Sequence, residues 1–192
     1  MPLLKSKRSL LAILLLAVGA AGFGVWYALR PPYYHWVEVV PGKVYRSGVL
    51  KDDLASAIDR FHLKTVIDLR DTSEYASGDW HATELRVTTE KGVRLVEVPL
   101  PVGTPPTPEQ VKQLLAVFDD PNTTPVLMHC DHGVTRSAGV EGMYRREYLG
   151  ETGEEALAHV SRQKAELATK YPLVAAFVRG YVPRATKPPA PK

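Results

Sequence analysis

The chain of 192 residues contains a single cysteine, at position 130. One cysteine cannot form an intrachain disulfide, so the fold does not depend on an oxidising compartment. A zinc site built from paired cysteines is excluded, and the six histidines show no HExxH or similar spacing of metal ligands. The sequence therefore predicts no metal site, and the lone thiol is either a small buried apolar group or a working group.

The chain also lacks a strong net charge and internal repetition. Its net charge of +3 lies partly in the termini and does not imply a nucleic-acid partner. No repeat occurs at the period of a solenoid or a propeller. A hydrophobic fraction of 45% is ordinary for a globular protein. The length suits one domain with a full core and a short appendage at either end.

A long apolar run lies near the N-terminus. Residues 10–29 carry no charge and follow a basic segment at 1–9. As a helix they would extend about 30 Å, the thickness of the hydrocarbon core of a bilayer. Trp26 and Tyr27 fit an interfacial aromatic belt. We therefore expect a transmembrane anchor over 10–29 and a single-pass membrane protein. The positive-inside rule places its N-terminus in the cytoplasm and its main domain on the non-cytoplasmic, periplasmic side.

Two other interpretations of this run stay open. The small residues at 19–22 are typical of the cleavage site of a signal peptide, and a buried core helix is a further alternative. Pro31 and Pro32 end the run in each case, because proline disfavours helix in the residue before it. We expect the main domain at 33–184 and a proline-rich, disordered tail at 185–192.

Predicted strands and helices alternate through the main domain. Apolar runs at 64–69, 94–98 and 125–128 predict buried strands, and Thr107-Pro108-Glu109-Gln110 predicts a capped helix start. The other predicted elements are strands at 34–40 and 44–45 and helices from 52 or 53 to 61, from 79 to 92, from 136 to 149, after 152, and from 171 to 181. This alternation predicts an α/β fold with a central, mostly parallel sheet flanked by helices.

The single cysteine lies in the stretch HCDHGVTRS, residues 129–137, between a predicted strand and a predicted helix. In open α/β sheets this carboxyl edge is where ligands bind. Backbone N–H groups of such a loop and the dipole of the following helix favour an anion and lower the pKa of a thiol. Arg136 can offer two parallel donors to a tetrahedral phosphate. We therefore predict Cys130 as a nucleophile at the bottom of a phosphate-binding loop.

The remaining loop positions fit this prediction. Gly133 supplies unusual backbone angles, and the Ser137 hydroxyl can hydrogen-bond the sulfur of Cys130. We predict Cys130 and Arg136 as catalytic residues and expect His129 to order the loop. The predicted substrate-binding residues are Asp131, His132, Gly133, Val134, Thr135, Arg136 and Ser137.

Residues 129–137 match the pattern H-C-x-x-G-x-x-R-S/T and thereby resemble the loop of cysteine-dependent protein-tyrosine and dual-specificity phosphatases. The segments VYRSGVL, KTVIDLRDTSEY, VEVPLPVGTPPTPEQV and PVLMHC, within about 43–150, are similar to those of compact bacterial dual-specificity-like phosphatases. The resemblance implies that the Cys130 thiolate attacks a phosphorylated protein or a small phosphomonoester. A phosphocysteine forms and water hydrolyses it, with no metal or cofactor, while Arg136 and loop amides hold the phosphate oxygens.

One expected residue is missing from this pattern. Such phosphatases usually carry a general-acid Asp on a loop before the cysteine, but here that window, 99–106, contains no carboxylate. Asp131, Asp71 and Glu109 are the alternatives, and an enzyme without a dedicated acid is another. A phenolic leaving group needs protonation less than an alkyl alcohol does, so the gap favours aryl phosphates such as phosphotyrosine.

Three further functions stay open. The missing acid would also suit a phosphate-binding pseudophosphatase without turnover. A phosphoinositide or inositol-phosphate substrate is another alternative, although the loop lacks lysines and Asp131 would repel additional phosphates. A sulfur transferase of rhodanese type is disfavoured by Arg136. Outside the loop, we interpret Asp68 as a strand-end turn residue and expect Arg46 either near the pocket or paired with a carboxylate.

Overall fold

The computed structural model describes residues 7–29, 32–162 and 167–185. The chain divides into two compact units, Met1–Pro32 and Tyr33–Lys192. Residues 1–6 of the predicted basic N-terminus and residues 186–192 of the predicted tail lie outside the described residues.

The first unit contains one helix, α1 (Lys7–Leu29). Nowhere in 7–29, 32–162 or 167–185 is a helix both long and apolar enough to cross a membrane. This finding contradicts the predicted transmembrane anchor at 10–29 and the predicted single-pass localisation with a periplasmic domain, and it does not support the membrane as a partner.

The second unit is built on a five-stranded sheet in the order β1-β2-β5-β3-β4. Its strands are β1 (Val37–Val40), β2 (Val44–Ser47), β3 (Thr65–Asp68), β4 (Arg94–Glu97) and β5 (Val126–His129). Only β1 is antiparallel to its neighbour among these strands; β2, β5, β3 and β4 run parallel. The α/β fold with a mostly parallel sheet is as predicted, without the membrane helix.

The register of the sheet brings three polar residues together at its carboxyl edge. Ser47 of β2 and Asp68 of β3 both lie opposite His129 at the end of β5. Because β5 lies between β2 and β3 and runs parallel to both, the residues after His129 lie between the carboxyl ends of these two strands. This edge is where the predicted loop begins.

Helices cover both faces of the sheet. They are α2 (Leu54–Phe61), α3 (Trp80–Lys91), α4 (Pro108–Asp119), α5 (Arg136–Tyr148), α6 (Gly153–Arg162), α7 (Leu167–Lys170) and α8 (Pro172–Gly180). Val66 and Leu127 pack in one cluster with residues of α2 and α3, whereas Ile67 and Met128 pack in another with residues of α4 and α5. The alternation of strand side chains thus divides the core into two layers.

Helix α5 lies between the sheet and the helices α6 to α8. Nearly all of its residues are buried. A Cβ atom on Gly139 would come within 2.6 Å of Val174, and one on Gly142 within 2.7 Å of Val178. These glycines let α8 pack closely against α5, which fixes the position of the helix that follows the cysteine loop.

Candidate active site

The sulfur of Cys130 lies at the floor of the loop that joins β5 to α5. Cys130 is only 2% exposed. The Gly133 backbone N–H donates a hydrogen bond to its Sγ at 3.3 Å, and the Ser137 Oγ lies 3.4 Å from the same sulfur. The loop therefore folds back over the cysteine, and both of these neighbours can donate a hydrogen bond to a thiolate.

These contacts determine the acidity of the thiol. Burial raises the pKa of Cys130, because it disfavours the charged form. The hydroxyl and amide of Ser137, the charge of Arg136 and the amide of Gly133 act in the opposite direction and prevail, so the pKa of the Cys130 thiol lies below its ordinary value. The thiolate is the nucleophilic form of cysteine, so this environment suits nucleophilic catalysis.

Gly133 allows the loop to make its tight turn. Its φ is +72°, and a Cβ atom there would lie 2.5 Å from the carbonyl carbon of Ser47 and 2.6 Å from the nitrogen of Gly48. The buried Arg46 guanidinium donates to the Gly133 carbonyl at 2.6 Å and pairs with Glu141 at 2.7 Å. Arg46 thus holds the loop from below and also pairs with a carboxylate, so both of the alternatives expected for it describe its position.

Arg136, the first residue of α5, lies beside the thiol. Its two terminal nitrogens contact the two carboxylate oxygens of Glu74, and the Nη1 donates to the Leu100 carbonyl at 3.4 Å. Burial lowers the pKa of Arg136, but Glu74 and Cys130 raise it more, so the guanidinium is charged. The Glu74 carboxylate also accepts a hydrogen bond from the Asp71 N–H at 3.0 Å, which fixes it on its 3₁₀ turn.

An open cleft of about 380 Å³ lies above the sulfur. The lining residues are Glu74, Val102, Cys130, Asp131, His132, Val134, Thr135, Arg136 and Tyr171. Seven of the predicted loop residues are thereby placed at the site: six line the cleft, and the Gly133 amide contacts the sulfur from within the loop. Ser137 lies below and contacts the sulfur as predicted. Val102 and Tyr171 form apolar walls that the sequence did not identify.

The structure separates the three candidate acids. Asp131 lines the cleft, and its carboxylate lies 2.9 Å from the His132 Nδ1 and 4.0 Å from Arg70. Asp71 instead caps a 3₁₀ turn by accepting hydrogen bonds from Ser73, and it does not line the cleft. Glu109 lies in the first turn of α4, away from the cleft, where a carboxylate favours the helix dipole.

A buried ionic cluster lies behind the cysteine. The His129 Nε2 is 2.7 Å from Glu84 and 3.8 Å from Asp68. Burial lowers the pKa of His129, but Glu84 and Asp68 outweigh it and raise the pKa to about 9. Burial also raises the pKa of Asp68, to about 6, against the opposing charge of His129. Asp68 accepts a hydrogen bond from the Arg70 N–H at 2.9 Å, as expected of a strand-end turn residue.

Sequence reasoning missed Glu74 and Glu84. The pattern Asp71-x-x-Glu74 is a capping box, which could have indicated a fixed turn at that point. Helix α3 carries no comparable motif, and nothing in the sequence shows that Glu84 faces the core. Both residues reach the site through tertiary packing.

Comparisons with known proteins agree with this site. A family model described as DSP-PTPase phosphatase fused to NAD+ kinase matches residues 44–173. A probable chloroplastic NAD kinase 2 from Oryza sativa subsp. japonica is 27% identical over 100 residues, which are 52% of this chain. The match covers 10% of that relative, so the chain corresponds to a small part of its length.

Three solved structures share the fold. The core catalytic domain of the PP-IP phosphatase Siw14 from S. cerevisiae, in complex with citrate, has a TM-score of 0.65, 21% identity, and coverage of 79% of this chain and 88% of its own. The active form of Tk-PTP has a TM-score of 0.62 and 22% identity, and the match covers 77% of this chain and 98% of the Tk-PTP chain. A cysteine-to-serine variant of P. aeruginosa TpbA in complex with phosphotyrosine has a TM-score of 0.56 and 21% identity. This match covers 79% of this chain and 91% of the TpbA chain.

Proposed function

The chain belongs to the family described as DSP-PTPase phosphatase fused to NAD+ kinase, and from this premise we propose that it hydrolyses phosphotyrosine-type phosphomonoesters through a phosphocysteine on Cys130. The observation that carries the proposal is the floor of the cleft. There a thiol of lowered pKa lies beside the charged Arg136 guanidinium. A phosphate dianion in the cleft would meet a nucleophile and a cation within the same small volume.

In the first step the Cys130 thiolate attacks phosphorus and forms an S–P bond. The bond between phosphorus and the leaving oxygen breaks, and that oxygen takes a proton from an acid or from water. The equatorial phosphate oxygens accept hydrogen bonds from Arg136 and from loop N–H groups, which stabilise the charge of the transition state.

In the second step water attacks the phosphocysteine. A P–O bond forms to the water oxygen and the S–P bond breaks. The proton of the water returns to the group that protonated the leaving oxygen or passes to solvent, inorganic phosphate leaves, and the sulfur departs as a thiolate. The Ser137 Oγ, 3.4 Å from the sulfur, is placed to donate a hydrogen bond to this leaving group. The protein ends the cycle in its starting state, and the phosphomonoester and one water molecule are the reactants consumed.

Asp131 is the residue that we assign as the proton donor in the first step. It is the one carboxylate among the three sequence candidates that lines the cleft. Glu74 also lines the cleft, but its carboxylate is paired with Arg136, and this pairing lowers its pKa despite burial. A carboxylate held in that way is a poor proton donor, so Glu74 is better suited to orienting the guanidinium.

The walls of the cleft support an aryl substrate. Val102 and Tyr171 border the cleft and can contact an aromatic ring. The loop at 99–106 carries no carboxylate, which favours a substrate whose leaving group is a phenol, because a phenol needs protonation less than an alkyl alcohol does. The structurally similar TpbA variant is described in complex with phosphotyrosine, which is in keeping with this substrate class.

A phosphorylated inositol is a second candidate, because the fold is also similar to that of the PP-IP phosphatase Siw14. The charges of the lining argue against it. Arg136 is the one Lys or Arg among the lining residues, and it shares the cleft with two carboxylates, Glu74 and Asp131. A ring with several phosphates would be repelled by these carboxylates.

Replacement of Cys130 by Ser tests the proposal. We expect the full chain to hydrolyse phenyl phosphate and a phosphotyrosine peptide, and Cys130→Ser to abolish this activity. Met128→Leu, a volume-conserving change on the strand that precedes Cys130, serves as the control and should retain activity. Acid quenching with ³²P-labelled peptide should trap a phosphocysteine in the wild type.

Residual turnover by Cys130→Ser would contradict the mechanism. If the wild type bound the peptide but released no phosphate, the pseudophosphatase alternative would replace it. Faster hydrolysis of an inositol pyrophosphate than of phosphotyrosine would favour the second candidate.

A further inference from the structure

Arg70 is a buried arginine whose hydrogen-bond donors are not all used. It follows β3 by two residues, at the carboxyl edge of the sheet. Its Nε and Nη1 have no hydrogen-bond partner among the residues that the structure describes. Because a buried guanidinium without its hydrogen bonds costs free energy, its presence at this place requires a physical reason.

The guanidinium of Arg70 is held in place by its own backbone and by an aromatic ring. The Arg70 N–H donates to the Asp68 carboxylate at 2.9 Å. The guanidinium carbon lies 3.0 Å from the centroid of the Trp80 ring, and Trp80 is itself buried. A cation over the face of an indole ring is attracted to it. These two contacts fix the position of the charge.

The charge of Arg70 faces the two carboxylates that line the cleft. Its Nε lies 3.7 Å from the Glu74 carboxylate, and its Nη2 lies 4.0 Å from the Asp131 carboxylate. Both distances are too long for a hydrogen bond, so the interaction is one between charges. Burial lowers the pKa of Arg70 against the opposing effect of the nearby carboxylates, but an arginine starts so far above neutral pH that it remains charged.

The lining of the cleft is short of positive charge. Glu74 and Asp131 in their ionised forms carry two negative charges, and Arg136 is the one lysine or arginine among the lining residues. A phosphate dianion that enters the cleft brings two more negative charges, and the Cys130 thiolate adds another. Interactions between charges are strong where water is excluded, and Arg70 lies in such a place because it is buried.

We propose that Arg70 is a positioning residue that balances the charges of Glu74 and Asp131 from beneath the lining and thereby allows a phosphate dianion to bind above Cys130. Arg70 is not among the lining residues, so it acts through the two carboxylates and makes no contact with the substrate. The inference rests on the proposed function for its effect on turnover, although phosphate binding can be measured without turnover. One buried cation suits a substrate with one phosphate group.

Arg70→Met in the full chain is the first test, because methionine keeps an apolar stem beside Trp80 and removes the charge. The readout is the concentration of inorganic phosphate that half-protects Cys130, the one cysteine of the chain, from alkylation by iodoacetamide. We expect this concentration to rise about tenfold in Arg70→Met. The substrate and its transition state should be weakened equally, so KM for phenyl phosphate should rise by about the same factor while kcat stays within about twofold.

The phosphate measurement separates this inference from the proposed function. If the wild type is protected by phosphate but releases none from phenyl phosphate, the proposed function fails and the inference is still decided by Arg70→Met. Protection in Arg70→Met at the wild-type concentration of phosphate would overturn the inference, and so would a wild type that phosphate does not protect.

Arg60→Met is the matched control. Arg60 also lies over an aromatic ring, 5.4 Å from the centroid of Phe61, but it is exposed on α2. Its replacement removes the same charge from the protein and should leave the protection by phosphate unchanged, because an exposed charge is screened by salt. A loss in Arg60→Met equal to that in Arg70→Met would assign the effect to net charge and overturn the inference.

Two further variants separate charge from packing and cover the case in which Arg70→Met fails to fold. Arg70→Lys keeps the charge and should be protected by phosphate within about threefold of the wild type. The double variant Arg70→Met with Asp131→Asn removes one charge of each sign, so it should also stay within about threefold. A rise of about tenfold in either variant would place the effect in the shape of the arginine side chain and overturn the inference.

Discussion

The floor and the rim of the cleft above Cys130 are built differently. Cys130, Arg136 and Ser137 on the floor are buried, and each has at least one side-chain contact that fixes it. Asp131 and His132 on the rim have side chains 37% and 65% exposed. The groups proposed to attack and hold the phosphate are thus fixed in place, whereas Asp131, the proposed proton donor to the leaving group, and its neighbour His132 face solvent.

Buried charges support the floor. Arg46 and Glu141 form one ion pair below the loop, and His129 and Glu84 form another behind the sulfur. Among the residues that the structure describes, the rim is held without a buried ion pair of this kind. The His35 Nδ1 lies 2.6 Å from the His132 carbonyl oxygen, and the rings of Tyr34 and His35 stack with their centroids 4.3 Å apart. We therefore expect floor substitutions to lower the rate for all substrates and rim substitutions to change the preference among them.

Arg136→Lys should have the largest effect on the floor. Lysine is a point charge that cannot reproduce two parallel donors to phosphate, and it would not match the Glu74 carboxylate. We expect kcat for phenyl phosphate to fall by about 10²–10³-fold, the loss typical of a removed transition-state donor. Arg86→Lys, exposed on α3, is the control and should leave kcat unchanged. Equal kcat in Arg136→Lys and wild type would show that the guanidinium is not needed.

Gly133→Ala should disturb the floor through its backbone. The Cβ atom would clash with Ser47 and Gly48, at a φ of +72° that alanine rarely adopts. We expect urea unfolding to show a loss of about 1–3 kcal/mol, and turnover to fall by more than about tenfold. Gly150→Ala has the same φ of +72° but nothing within 4 Å of the added Cβ atom, so it should lose stability without losing activity. Identical behaviour of the two variants would contradict the role of the close approach.

Asp131→Asn should have the smallest effect, and one that depends on substrate. If Asp131 protonates the leaving oxygen, activity should fall about tenfold with phenyl phosphate and hardly at all with p-nitrophenyl phosphate, whose leaving group is far more acidic. A plot of log kcat against leaving-group pKa should therefore become steeper. A uniform loss across the series would place Asp131 in binding instead of proton transfer. Asp71→Asn, outside the cleft, should leave the plot unchanged.

The floor was easier to predict than its supports. Cys130, Gly133, Arg136 and Ser137 lie within eight consecutive residues, and a strand–loop–helix connection of that length has few alternatives. The Thr107 capping box was confirmed for the same reason: its Oγ accepts from the Gln110 N–H at 3.3 Å, and both partners are close in sequence. Contacts between residues that are close in sequence can therefore be predicted from the sequence.

The remainder depends on tertiary packing. Glu74 and Glu84 reach the loop from elements more than forty residues before it, and no local pattern shows which way they face. Asp71 was a reasonable candidate acid from its position after a strand, but its carboxylate is used by the turn that it caps. The apolar run, the aromatic residues near its end and the basic segment before it led to the incorrect membrane anchor at 10–29.

Titration of the Cys130 thiol tests the central claim most directly. The absorbance of the thiolate near 240 nm, measured against pH on the full chain with Cys130→Ser as the blank, reports a single group, because the chain has one cysteine. The account predicts a midpoint below the value of about 8.5 for a free thiol, since contacts with Ser137, Arg136 and Gly133 favour the thiolate despite burial. A midpoint at or above that value would contradict it.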